Sequence, residues 1–129
     1  MNNLFFCTDK NLINLIPYIF KTFLKFNDPE KYIINFILND DNNNLHIDIN
    51  NILNKISDKF NFEYKYFIPS KKFKNLLDKY YNLLKQSNLI INTSVYCNYS
   101  NWSRFFISKL FPNIEKGLYL DMDILFSGN

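Results

Sequence analysis

Glycine is nearly missing from this chain: Gly117 and Gly128 are the only two in 129 residues. Loops that wrap a phosphate need several glycines in a short span, because a Cβ keeps the backbone away from the anion. Walker-type and dinucleotide-binding fingerprints are therefore excluded. Alanine, valine and arginine are scarce as well, while Asn, Ile, Lys, Leu and Phe dominate. That is the codon bias of an AT-rich genome, so the Asn-rich stretches carry little functional information. Cys7 and Cys97 show no metal-ligand spacing, and Cys7 lies in an apolar run. Both read as buried free thiols of a reducing compartment. No basic-then-apolar leader opens the chain, and no apolar run reaches membrane-spanning length, so the expectation is a cytoplasmic protein with no membrane span. The triplets starting at Asn92, Asn98 and Asn101 match the glycosylation sequon, which chance explains in so Asn- and Ser-rich a chain.

What is present points to one globular domain over residues 1–129, since 47% of the residues are hydrophobic and 19% aromatic. The formal charge is +3, from 15 basic and 12 acidic residues. Lysines are spread along the chain and mixed with acids, which is a solvated surface and not the basic stripe of a nucleic-acid binder.

Periodicity predicts alternating strands and helices. Residues 4–7 read as a strand closed by Thr8 and Asp9. Residues 11–26 have helical spacing, with Asp9 as a candidate cap. Pro17 requires either a kink or a helix that begins nearer that residue. A turn at residues 27–29 leads to a second buried strand, Tyr32–Leu38, and a polar loop over residues 39–44. Residues 47–60 read as a helix, and residues 62–68 as a half-exposed strand. Residues 72–85 form a helix with Phe73, Leu76, Leu77, Tyr80, Leu83 and Leu84 at helical spacing. Residues 99–110 give another helix, with Trp102, Phe105, Phe106 and Leu110 inward, ended by Pro112. Residues 118–122 give the last strand. The fold class is thus α/β, an open, mainly parallel sheet flanked by helices, and ligands bind such sheets beyond the strands' carboxyl ends.

Three features fall at or near such ends. Asp121 and Asp123 are two residues apart, so on a strand they would share a face and repel unless a cation joined them. Hard Mg²⁺ or Mn²⁺ shared with a diphosphate would do so; capping of a turn at the sheet edge is the plainer alternative. Arg104 is the sole arginine where codon bias favours lysine, and its planar fork of donors suits a phosphate or a sugar hydroxyl. A structural ion pair with a carboxylate such as Asp121 is the competing reading. Thr8, Asp9, Lys10 and Asn11 could meet a nucleotide base or cap the next helix.

Taken together, Leu4–Phe5–Phe6–Cys7–Thr8–Asp9–Lys10–Asn11, Trp102–Ser103–Arg104–Phe105 and Leu118–Tyr119–Leu120–Asp121–Met122–Asp123–Ile124–Leu125 resemble glycosyltransferase family 8. That family includes glycogenin and lipopolysaccharide galactosyl- and glucosyltransferases. The resemblance implies a GT-A-like donor-binding portion, truncated after the D-x-D strand. It further implies that Thr8, Asp9 and Asn11 contact uridine, that Arg104 contacts sugar or phosphate, and that Asp121 and Asp123 hold Mn²⁺ or Mg²⁺. The implied activity is metal-dependent hexosyl transfer from UDP-glucose or UDP-galactose with retention of configuration, to a glycan, lipid or protein acceptor.

There are departures from the family pattern. Leu12 stands where the family has a base-stacking Tyr, and Trp102 where a Tyr is common. The family's later metal-ligating histidine has no counterpart, since His46 lies far upstream and reads as a surface residue. The competing expectation is an inactive, truncated member acting as a binding or interaction protein, dimeric through Met122, Ile124, Leu125 and Phe126.

Overall fold

The computed structural model describes residues 1–39, 44–88 and 102–128. Four strands, β1 (Asn2–Thr8), β2 (Tyr32–Leu38), β3 (Asn61–Tyr66) and β4 (Leu118–Leu120), form one sheet in the order β3-β2-β1-β4. Every pairing is parallel, so the predicted α/β class holds. β1 and β2 are buried on both faces, as strands inside a parallel sheet must be, and their near-continuous apolar runs follow from that. β3 is an edge strand on which only Phe62 and Tyr66 are half-buried; Tyr64 is exposed and the strand ends at Tyr66, so the alternation expected through Ile68 is not kept.

One face of the sheet is covered by α1 (Ile16–Phe26) and α2 (Leu45–Ile56). Leu4, Phe6, Ile34, Phe36 and Leu38 meet Ile16, Ile19, Phe20, Phe23, Ile49 and Leu53 there. Phe20 is the hub of this layer, with its ring centroid 5.5 Å from Phe6 and 5.4 Å from Phe60, both edge-on. Such pairs add about 0.5–1.5 kcal/mol each beyond their area. The opposite face is thinner. Phe5, Cys7 and Ile37 pack there against Phe67, Phe106, Ile107, Leu110 and Phe111.

Pro17 sits in the first turn of α1, where its missing N–H costs nothing, and a 3₁₀ turn (Ile13–Leu15) precedes it. The helix therefore begins near the proline, and no kink is needed. α3 (Lys71–Gln86) is capped by the Ser70 hydroxyl, which accepts from the Phe73 amide at 3.2 Å.

Four expectations are corrected. Phe60 lies beyond α2, which ends at Ile56, and joins the core from the following turn. β4 is three residues long with Leu118 exposed, so the last strand is neither buried nor as long as its hydrophobicity suggested. Residues 102–110 are not one helix: a 3₁₀ turn (Arg104–Phe106) leads into a short helix α4 (Ile107–Leu110), and this break turns Phe105 out to solvent. Met122 is buried, while Ile124 and Phe126 pack on the first core, Phe126 edge-on to Phe23 at 5.1 Å. Of the four residues proposed for a dimer contact, only Leu125 is exposed.

The sequons at Asn92 and Asn98, Cys97 and part of the loop over residues 39–44 lie outside the described residues, as does the first residue of the sequon at Asn101. Among the described residues no helix is long and apolar enough to cross a membrane.

Candidate functional site at the sheet's switch point

The chain moves outward from β1 through β2 to β3, then returns to place β4 on the other side of β1. The strand order thus reverses between β1 and β4, and open sheets of this kind bind ligands beyond the carboxyl ends of the strands at such a point. Phe6 pairs with Leu120, so the segment after Thr8 and the segment after Leu120 leave the sheet side by side. All the candidate residues gather on these two exits and on residues 103–104.

Asp121 and Asp123 lie just past β4 in a turn, not on the strand. Both are exposed while Met122 between them is buried, so the turn leaves both carboxylates open to solvent. The Tyr119 hydroxyl donates to Asp121 Oδ1 at 2.7 Å. The Arg104 guanidinium lies 3.9 Å from the same oxygen, so the structural ion pair foreseen as an alternative is present. Arg104 also stands over two rings, 5.7 Å from the Phe105 centroid and 5.9 Å from that of Tyr119. A planar guanidinium can face both rings and a carboxylate at once, which suits this position better than the point charge of a lysine ammonium.

Beneath this group lies Cys7, a buried free thiol within hydrogen-bond reach of Ser103 and Tyr119. Burial pushes its pKa up to about 11, against the lowering effect of Ser103, the Arg104 charge and Tyr119. Burial, followed by the hydrogen bond to the Asp121 carboxylate, also raises the Tyr119 phenol well above its usual range. Both groups stay protonated at neutral pH, and neither is poised as a base.

On the β1 side, Asp9 Oδ1 accepts from the amides of Asn11 at 2.8 Å and Leu12 at 3.1 Å. The carboxylate therefore organises the turn after β1 and does not cap α1, whose N-cap is Leu15. Thr8 and Asp9 are buried, and Asn11 is the exposed member of the three predicted nucleotide contacts. Leu12 packs against the first core and offers no stacking face.

His46 lies away from these strand exits, in the first turn of α2. Its Nδ1 is 2.9 Å from the Tyr66 hydroxyl and its ring stacks on Tyr64 at 4.6 Å. It is half-buried and held by β3, not a bare surface residue.

Among the described residues no three His, Cys, Asp or Glu side chains converge to enclose a metal. The two carboxylates fit a hard divalent ion only if most of its ligands come from a bound diphosphate and water, as such ions commonly allow. The contacts of Asp121 both use Oδ1, and among the described residues Oδ2 and Asp123 have no protein partner. On that chemistry the donor set fits.

Sequence reading missed Tyr119 and Ser103. The signal for Tyr119 was its position two residues before Asp121, a spacing that would put both on one side of the strand expected over residues 118–122. Ser103 is buried against Cys7, and nothing in its sequence context marks it.

No curated protein and no solved structure matches this chain. The family model described as glycosyl transferase family 8 matches residues 3–129, which takes in both strand exits and the segment carrying Arg104. This chain belongs to glycosyltransferase family 8.

Proposed function

We propose that the switch point beyond the carboxyl ends of β1 and β4 binds a UDP-hexose through a divalent cation, as the donor site of a retaining hexosyltransferase. The observation that carries this reading is the meeting of Asp121, Arg104 and the Asp9-organised turn at the point where strand order reverses. Asn11 meets the nucleoside through its exposed side chain, while Thr8 and Asp9 fix the turn from beneath. Asp121 and Asp123 hold the cation, Mn²⁺ or Mg²⁺, which supplies charge neutralisation on the departing diphosphate. Arg104 adds a second positive charge on the same side, and its two aromatic neighbours keep it oriented before the donor arrives. Tyr119 fixes one oxygen of Asp121 and leaves the other outward.

Calorimetric titration of UDP, UDP-glucose and UDP-galactose, with and without Mn²⁺, tests this on the native chain and on Asp121→Ala/Asp123→Ala. Mn²⁺-dependent UDP binding that the double variant loses supports the donor site. Absence of Mn²⁺-dependent binding to the native chain refutes it. Release of free hexose or transfer to an added acceptor, followed in the same samples, separates a working transferase from a donor domain that only binds.

A further inference from the structure

Helix α3 presents more apolar surface than the core can use. Only Leu77 and Tyr81 are buried on it. Leu76, Tyr80 and Leu83 succeed one another at helical spacing and are 62%, 48% and 55% exposed, and Ile68 just ahead of the helix is 79% exposed. Two of them, Ile68 and Leu76, line an open cavity of about 590 Å³ together with Phe73, Phe106, Lys72 and Lys109, and Tyr80 and Leu83 carry the apolar stripe onward from it along the helix. Scattered exposed apolar residues are ordinary, but a contiguous stripe along one helix is not.

Charge sits around the same stripe. α3 contains Lys71, Lys72, Lys74, Lys79 and Lys85 against one acid, Asp78. Its net charge of +4 exceeds the +3 of the whole chain, so everything outside this helix sums to −1. Lys109 adds to the cavity rim. Contrary to the even spread of lysines expected from the sequence, the mild basicity of the protein is concentrated on the element that carries this exposed apolar stripe.

We infer that α3 and the adjoining cavity form a docking surface for an anionic membrane, with Ile68, Leu76, Tyr80 and Leu83 entering the interface and the flanking lysines meeting acidic headgroups. An amphipathic helix with a cationic polar side and low overall hydrophobicity lies in the plane of a bilayer interface. An acidic leaflet supplies the complementary charge, and each nearby lysine strengthens binding about fivefold. Tyr80 suits the headgroup level, where a ring can be buried while its hydroxyl stays wet. This surface needs no spanning helix and is independent of the donor site.

Flotation of the 129-residue chain with vesicles tests the inference. One set is phosphatidylcholine alone, and the other is phosphatidylcholine mixed with phosphatidylglycerol. Recovery with the anionic vesicles and not with the neutral ones is expected. Leu76→Glu/Leu83→Glu is expected to reduce binding by at least about tenfold, since two apolar anchors are lost and two charges repel the surface. Lys72→Gln/Lys79→Gln is expected to reduce it about tenfold or more, with the loss deepened by added salt. All four positions are exposed, and an unchanged melting temperature together with unchanged UDP titration shows that the variants remain folded. No recovery with anionic vesicles overturns the proposal. So does anionic binding that survives the double leucine change, which would mean adsorption by charge alone. Capture by a soluble acidic peptide without vesicle binding also overturns it, in favour of a protein partner.

Discussion

Tyr119 and Asp121 are joined by a 2.7 Å hydrogen bond in which the phenol donates to Oδ1. The bond fixes a carboxylate that is otherwise exposed, at the end of a strand only three residues long. In metal sites the groups that orient a ligand are often as costly to lose as weaker ligands. Tyr119→Phe keeps the ring over which Arg104 stands and removes only the donor. Mn²⁺-dependent UDP affinity is expected to fall about 3- to 10-fold, the discounted value for a charge-assisted hydrogen bond near solvent. The melting temperature should stay within about 4 °C of the native value. Calorimetry and a thermal melt check both, and unchanged UDP affinity would show that Asp121 does not need this support.

Arg104 presents a sharper case, because it shares Oδ1 of Asp121 and so competes in charge with any cation held there. Removing it should move two affinities in opposite directions. Arg104→Ala is expected to bind Mn²⁺ alone about 2- to 5-fold more tightly, since a nearby like charge is gone. The same variant is expected to bind UDP in the presence of Mn²⁺ about tenfold more weakly, having lost a charge-assisted contact to the diphosphate. Arg104→Lys should leave the first affinity near native and still weaken the second, because an ammonium lacks the planar fork of donors that a guanidinium over Phe105 and Tyr119 can offer the diphosphate. Spin-resonance titration of free Mn²⁺ and calorimetry of UDP read the two quantities separately. Parallel changes would leave Arg104 a purely structural partner of Asp121.

The parts of this fold legible in the sequence are those set by local pattern. Tyr32–Leu38 is visible because a strand buried on both faces must be apolar throughout. Pro17 marks the start of α1 because a proline is accommodated without loss only in a first turn. Tertiary demands override the pattern elsewhere. Residues 118–122 are apolar enough for five residues of strand, yet the chain turns after Leu120 so that Met122 can enter the core under α1. Phe105 fits a helical period, but the 3₁₀ turn at Arg104–Phe106 changes the angular step and turns it outward beside Arg104. Leu76 and Leu83 fit the apolar arc of α3, which is wider than the layer it packs on. At the site, the aspartates and the lone arginine stand out by type, whereas Tyr119 and Ser103 look like ordinary filler. Their roles exist only once β1 and residues 103–104 are brought together in space.

Cys7 gives a pH signature that does not depend on the donor. Its thiol has an ordinary value of 9.0 and is raised to about 11, chiefly by burial. A raised folded-state value means that the unfolded chain releases this proton first. The contribution to stability is complete below about pH 9 and is lost as pH rises toward about 11, by about 2–3 kcal/mol in all. Cys7→Ala removes that titration, so its stability should fall less steeply than the native chain's across the same interval in urea melts. In the native fold the thiol should also resist alkylation at pH 8, best followed in a Cys97→Ser background so that Cys7 is the single thiol. Rapid labelling under native conditions would show that Cys7 is not sealed beneath Tyr119 and Ser103.

Gly117 sets how closely β4 can approach β1. A Cβ at this position would run into the Phe5 ring and come within 3.1 Å of the Asn3 carbonyl oxygen. Phe5 cannot yield easily, because its ring is buried and packed edge-on to Phe111 at 5.3 Å. Gly117→Ala is therefore expected to cost about 1–3 kcal/mol, the range for overpacking a filled interior. Because β4 carries Tyr119 and leads directly into Asp121, the same change should weaken Mn²⁺-dependent UDP binding although it alters neither residue. Phe5→Leu alone destabilises by leaving space. Combined with Gly117→Ala it should recover part of the loss, with a favourable coupling of about 0.5–2 kcal/mol in a double-mutant cycle. Additive effects on stability would mean that the Asn3 carbonyl, and not the Phe5 ring, is what holds position 117 to glycine.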